Sequence, residues 1–155
     1  MRTILEVARR GFLLALVFHW SAAALAGSAL DVDEPYAPAV VPGQTNGTVY
    51  MRVHNPGAAA VTLVGARSDA AAAVELHSHS MEGGIMKMRR IERITIPPQS
   101  SLSFEPGGLH LMLIGLKRTL SADDRLTLTL DLEDGTAIDV EVPVRQGVAA
   151  EHRQP

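Results

Sequence analysis

Residues 126–144 read LTLTLDLEDGTAIDVEVPV, and this stretch decides the fold class. Leucine alternates with polar residues as far as Leu132, and the same alternation returns with isoleucine and valine from Ile138 onward. Apolar residues at every second position are typical of a strand that buries one face. Asp134-Gly135, between the two halves, is a typical hairpin turn. The stretch therefore predicts a β-hairpin with one face in a hydrophobic core.

The same alternation extends outward from this hairpin over much of the chain. Val49, Met51 and Val53 alternate with polar residues, and Leu109 opens a similar run. Breaks rich in proline, glycine and asparagine separate the runs, as in many antiparallel β proteins. Helical signals are weak, and an alanine run at 70–73 predicts at most one helical turn. We therefore expect an all-β domain, an antiparallel β-sandwich or barrel.

Composition and charge exclude several classes of protein. Charged residues make up 20% of the 155 residues and the formal net charge is −3, without the basic excess expected of a nucleic-acid binder. The chain is also too apolar to be intrinsically disordered. Cysteine is absent, which excludes disulfides, thiolate metal sites, thiol catalysis and the cysteine ligand of a blue-copper centre. Six histidines and six methionines remain as candidate functional residues.

The first 26 residues have the pattern of a secretory signal peptide. Three arginines lie among the first ten residues, a short apolar run follows, and Ala24-Leu25-Ala26 is a cleavage site of the small-x-small type. The apolar run is too short for a comfortable membrane span. We therefore expect cleavage near Ala26, a periplasmic mature protein and no stable membrane insertion. The export route, general or twin-arginine, stays open. The predicted organisation is a signal peptide (1–26), a β-sandwich domain (27–146) and a flexible C-terminal tail (147–155).

Histidine and methionine occupy the predicted non-core face of two strands. Side chains alternate across a strand, so with Leu109 and Leu111 inside, His110 and Met112 share the opposite face, about 7 Å apart. The same reasoning puts His77 outside when Leu76 is inside. Met86 and Met88 share one face of a further segment. A single exposed methionine needs no explanation, but two such strands indicate a site.

Soft-metal binding is the chemistry that uses these residue types together. The methionine thioether is a neutral, polarizable donor that suits Cu(I). Thioethers are poor ligands for Zn²⁺, which prefers thiolate, imidazole or carboxylate. Two histidines and two methionines form a neutral set of four ligands, which leaves Cu(I) with a single positive charge. The pattern therefore favours copper.

The spacing of four of these residues resembles a known signature. His77, ten residues, Met88, twenty-one residues, His110, one residue and Met112 give H-x10-M-x21-H-x-M. This order is similar to the signature of the periplasmic copper chaperone family PCu(A)C, and the flanking residues agree over roughly 28–145. Two departures lie outside the four positions. Ser78 stands where many relatives have methionine, and Tyr36-Ala37-Pro38 stands in place of Trp-Ala-Arg.

The resemblance implies a cupredoxin-like β-sandwich and a metal carrier that is not an enzyme. It implies Cu(I) as the bound ion, with His77, Met88, His110 and Met112 as ligands. Cu(II) at a secondary site is a separate possibility, which the resemblance does not imply. The resemblance also implies delivery to the binuclear copper centre of cytochrome c oxidase, with an oxidase subunit or a Sco-type thiol protein as partner.

Other functions compete with this one. A copper buffer or resistance protein would have the same site without a dedicated acceptor, and a metal-free interaction sandwich would have none. A copper monooxygenase commonly needs a histidine at the mature N-terminus, where the predicted cleavage leaves Gly27. An electron-transfer cupredoxin would normally need a cysteine ligand, which the chain lacks.

His79, Met81 and Met86 have two interpretations. They could form an outer ring of donors that admits copper and matters if Cu(II) also binds. The simpler interpretation, which the sequence favours, is a mobile loop around Gly83-Gly84 with incidental methionines.

Overall fold

The computed structural model describes residues 30–146 of the chain. The predicted signal peptide and C-terminal tail lie outside the described residues. Between residues 30 and 146 the chain forms ten strands and no helix, so no helix there could span a membrane. The strands are β1 (Asp31–Pro38), β2 (Asn46–Asn55), β3 (Val61–Ser68), β4 (Ala71–Glu82), β5 (Ile85–Ile91), β6 (Ile94–Ile96), β7 (Ser100–Phe104), β8 (Leu109–Leu116), β9 (Arg125–Leu132) and β10 (Ala137–Arg145).

The strands form one sheet that closes on itself, in the order β5-β4-β8-β7-β2-β1-β10-β9-β3-β6. Ala66 of β3 pairs with Val74 of β4, which joins two distant parts of this order. Closure leaves β5 and β6 as edge strands. The predicted all-β sandwich or barrel is confirmed. Most neighbours are antiparallel, but β1 pairs with β10 and β7 with β8 in parallel.

The core follows the alternation seen in the sequence. Val49, Met51 and Val53 of β2 are buried, and Leu111 and Leu113 of β8 are fully buried. The hairpin β9–β10 adds alternate leucines and valines to the same core. Burying a side chain of this size contributes about 1.5–3 kcal/mol to the free energy of folding, so these strands are well stabilised by packing. β5, by contrast, is exposed along most of its length.

The prediction of a helical turn in the alanine run is wrong. Ala71 and Ala73 lie in β4 and pair with Leu116 and Ile114 of β8. Four alanines are too few to form a stable isolated helix. Pairing with β8 therefore outweighs their helix propensity. The alanines from Ala71 onward become the first residues of β4, the strand that also carries candidate site residues.

Candidate metal site

Strand register places the predicted site residues on one face of β5, β4 and β8. β4 lies in the middle of the three strands. His77 is opposite His110 of β8, and Glu75 is opposite Met112 of the same strand. On the other side, His79 is opposite Met88 of β5. Residues directly opposite in a sheet share a face, so His77, Met88, His110 and Met112 are brought to one region of the same face.

His77 is held by a carboxylate. Its Nε2 donates a hydrogen bond to Glu75 Oε2 at 2.9 Å, and Glu75 Oε1 also pairs with Arg90 at 3.1 Å. The hydrogen bond from His77 is the main reason that the pKa of Glu75 lies below its ordinary value. An ionised carboxylate can only accept, so Nε2 carries the proton. The lone pair of the neutral ring is then on Nδ1, which is buried and has no hydrogen-bond partner among the described residues.

His110 is held in the opposite tautomer by the backbone. Its Nδ1 donates to the carbonyl oxygen of Gly108 at 3.2 Å, which leaves the lone pair on Nε2. This nitrogen too is buried, without a partner in the part of the chain that the structure describes. Burial lowers the pKa of His110, and the nearby His79 and His77 lower it further. The ring is therefore neutral near pH 7, the form that binds a metal.

His110 lies on the face opposite Leu111, as predicted, but it is not exposed there. Its exposed fraction is only 2%. The cause is its neighbours, because the ring centre of His79 lies 4.7 Å from that of His110 and the ring centre of His77 lies 5.8 Å away. Met88, in contrast, has 49% of its surface exposed. Exposure therefore differs across the site, from the buried imidazole of His110 to the half-exposed thioether of Met88.

The interpretation of His79, Met81 and Met86 as parts of a loop is wrong. Met81 of β4 pairs with Met86 of β5, and both belong to the hairpin that carries Met88. His79 Nδ1 is buried and has no partner within residues 30–146. The signal that could have identified His79 is period two along β4, since His77, His79 and Met81 follow at alternate positions.

The donor set fits a soft ion better than a hard one. Within the described residues, no group of three His, Cys, Asp or Glu side chains is arranged to hold a metal. What the site offers is three unpartnered imidazole nitrogens, two of them in rings fixed in tautomer, and thioethers on the strands on either side of β4. Histidine ligands oriented in this way through their second nitrogen are usual in metal sites.

Comparison with known proteins agrees with this picture. Residues 30–144 match the model of a family described as "Putative lipoprotein LpqE-like". The chain belongs to the LpqE-like family. Among its curated relatives is "Putative lipoprotein Lxx21020" of Leifsonia xyli, which is 34% identical over 117 residues, or 75% of this chain and 69% of the relative.

Solved structures with the same fold include PCuAC domains and a copper-bound protein. The solution structure of Cu(I)-DR1885 from Deinococcus radiodurans has a TM-score of 0.65 at 29% identity and covers 82% of this chain and 85% of its own. The copper-bound PCuAC domain from PmoF2 also has a TM-score of 0.65, at 22% identity, over 77% of this chain and 95% of its own. The resemblance to the PCu(A)C family and the cupredoxin-like fold are therefore confirmed.

Proposed function

We propose that this LpqE-like domain binds one Cu(I) ion through His77 Nδ1, His110 Nε2 and the thioethers of Met88 and Met112. One observation carries the proposal. Two buried imidazole nitrogens lack a hydrogen-bond partner among residues 30–146, and each ring is fixed in the coordinating tautomer by a bond from its other nitrogen. Buried polar groups are normally paired, so a bound ion would supply the missing partner.

Copper(I) suits this set better than the other common ions. The four donors are neutral, so the bound ion keeps its single charge and needs no carboxylate ligand. Glu75, whose oxygens are occupied by His77 and Arg90, orients a ligand and stays outside the set. The Cu(I)-bound relative from Deinococcus radiodurans supports the same ion.

The family and fold are those of PCuAC-type domains and not of enzymes, as the sequence predicted. Carriage is the function that the site supports best. A carrier must let the ligands of an acceptor enter one at a time, and the half-exposed Met88 gives them access. The buried His110 and the largely covered His77 meanwhile limit exchange of the ion with solvent.

We further propose that the carrier is exported to the periplasm and supplies a respiratory oxidase copper centre, directly or with a Sco-type thiol protein. The resemblance to the PCu(A)C family supports the acceptor, and the lipoprotein names of relatives support export. A periplasmic copper buffer would have the same site, so transfer to a purified oxidase copper domain is the measurement that separates the two functions. Cu(II) at a secondary site stays a prediction.

An anaerobic Cu(I) titration against a chromogenic chelator tests the binding proposal. We expect one tightly bound ion per mature chain. We also expect roughly a hundredfold weaker binding in the Met88→Leu/Met112→Leu variant, about tenfold for each lost donor, with the fold intact. Zn²⁺ binding should change far less, because thioethers are poor zinc ligands.

Met51→Leu is the matched control. It makes the same substitution at a methionine buried in the core of β2, away from the site face. Equal Cu(I) affinity in the double variant and in Met51→Leu would contradict the assignment of the thioethers. A wild-type protein that fails to compete with the chelator would favour the metal-free interaction sandwich.

A further inference from the structure

His79 lies beside two of the proposed copper ligands, His110 and Met88. Its ring centre is 4.7 Å from that of His110, and across the hairpin it is directly opposite Met88. We infer that His79 is a third imidazole ligand, which lets the same site hold Cu(II) in addition to Cu(I). This inference rests on the proposed function, because it uses the same two histidines.

The unpaired nitrogen of His79 argues for a ligand rather than a packing role. A buried ring nitrogen that serves only structure is normally hydrogen-bonded, because a buried polar atom without a partner destabilises the fold. His79 Nδ1 is buried without a partner in the described chain, as are one nitrogen of His77 and one of His110. The three nitrogens belong to neighbouring rings, so one ion that draws them together would supply the missing partner of each.

The two oxidation states of copper prefer different donors in this site. Imidazole suits Cu(II), whereas thioether sulfur suits Cu(I). Met88 and His79 are directly opposite on adjacent strands and share a face, so under this inference one replaces the other at the ion while His77 and His110 stay bound. Three imidazoles would then bind Cu(II), and two imidazoles with two thioethers would bind Cu(I).

A side-chain movement is needed for the three-imidazole set to form. Within residues 30–146, no three His, Asp or Glu side chains already converge on a metal position. β4 fixes the backbone of His79, whose N–H donates to the carbonyl oxygen of Gly108 at 3.1 Å. Because His77 and His110 keep their bonds to Glu75 and Gly108, the movement required is a rotation of the His79 ring, and the register of the strands stays as it is.

A pair of variants tests the inference by opposite effects on the two ions. We expect His79→Gln to weaken Cu(II) at least about tenfold and to leave Cu(I) affinity within about threefold. We expect Met88→Leu to do the reverse. The nitrogen hyperfine pattern in the electron paramagnetic resonance spectrum of the Cu(II) protein should fall from three nitrogens to two in His79→Gln.

The matched control is His54→Gln, since His54 lies on β2 and its Nδ1 bonds to Ser101 Oγ at 3.1 Å, away from the site. Unchanged Cu(II) affinity and nitrogen count in His79→Gln would overturn the inference, as would a wild type that does not bind Cu(II). Equal loss of both ions would also overturn it, because His79 would then be an ordinary ligand of the Cu(I) site. Failure of the proposed function is distinguishable, since it appears as absent Cu(I) binding in the wild type.

Discussion

At the scale of single residues, Glu75 determines which nitrogen of His77 is free. The carboxylate accepts the Nε2 proton of His77 at 2.9 Å and is itself held by Arg90 at 3.1 Å. Without an acceptor at this position, the ring could rotate or change tautomer, and Nδ1 would no longer be reserved for an ion. Outer partners of this kind typically contribute about 10–100-fold to metal affinity.

Replacing Glu75 with leucine should therefore weaken Cu(I) binding by about 10–100-fold without unfolding the domain. Nitrogen NMR of His77 should show a mixture of tautomers, and Glu75→Gln, which keeps an acceptor oxygen, should restore part of the affinity. Glu133→Gln is the control, because it removes an arginine partner at the same 3.1 Å distance on a residue with no histidine contact. Loss of affinity with an unchanged His77 tautomer would contradict this role.

At the scale of elements, the alignment of β4 with β8 depends on a close approach beside the site. Gly115 of β8 has φ +65°, and a β-carbon there would lie 3.0 Å from the β-carbon of Ala72 of β4. Both the positive φ and the lack of space favour glycine. The approach holds together the same two strands whose register places His77 opposite His110.

Gly115→Ala should cost about 2–4 kcal/mol of unfolding free energy, measured by urea denaturation of the metal-free protein, from backbone strain and overpacking together. Gly135→Ala is the matched control, because Gly135 has φ +86° and no atom lies within 4 Å of the place that a β-carbon would occupy. It should show the backbone cost alone, about 1–2 kcal/mol. Equal losses in the two variants would mean that the contact with Ala72 is not tight.

At the scale of the whole molecule, the metal-free fold must keep a histidine buried and neutral. Burial lowers the pKa of His110 below its ordinary value. Between this lowered pKa and about 6.5, the unfolded chain binds more protons than the folded chain. The free energy of unfolding is therefore not reduced by His110 above about pH 6.5. It decreases as the pH falls from about 6.5 towards the lowered pKa of His110.

The urea midpoint of the metal-free protein should therefore fall as the pH is lowered from about 7.5 to about 5. His110→Gln should reduce this acid dependence, and His54→Gln should not. Glu75 and Asp134, whose pKa values are also lowered, act at more acidic pH, because their ordinary values are 4.5 and 3.8. An equal slope in the wild type and in His110→Gln over this pH range would contradict the role given to His110.

The sequence was sufficient to predict most of the strands and the shared face on which the four candidate ligands lie, but not the burial within the site. The alternation of apolar and polar residues in 126–144 directly indicates strands with one buried face, so the hairpin β9–β10 could be predicted. The burial of His110 could not, because it depends on the rings of two residues on another strand. The pairing of β4 with β8 is also long-range, which is why the alanine run on its own favours a helical turn.

The position of β5 outside the closed part of the sheet has a kinetic consequence. Three of the four proposed donors, from β4 and β8, belong to a wall supported on both sides, whereas Met88 belongs to an edge strand with little packing. If Met88 is a ligand, its sulfur would dissociate first, and an incoming ligand would take its place while both imidazoles stay bound. Copper would then leave in a fixed order of steps, at a rate that rises with acceptor concentration.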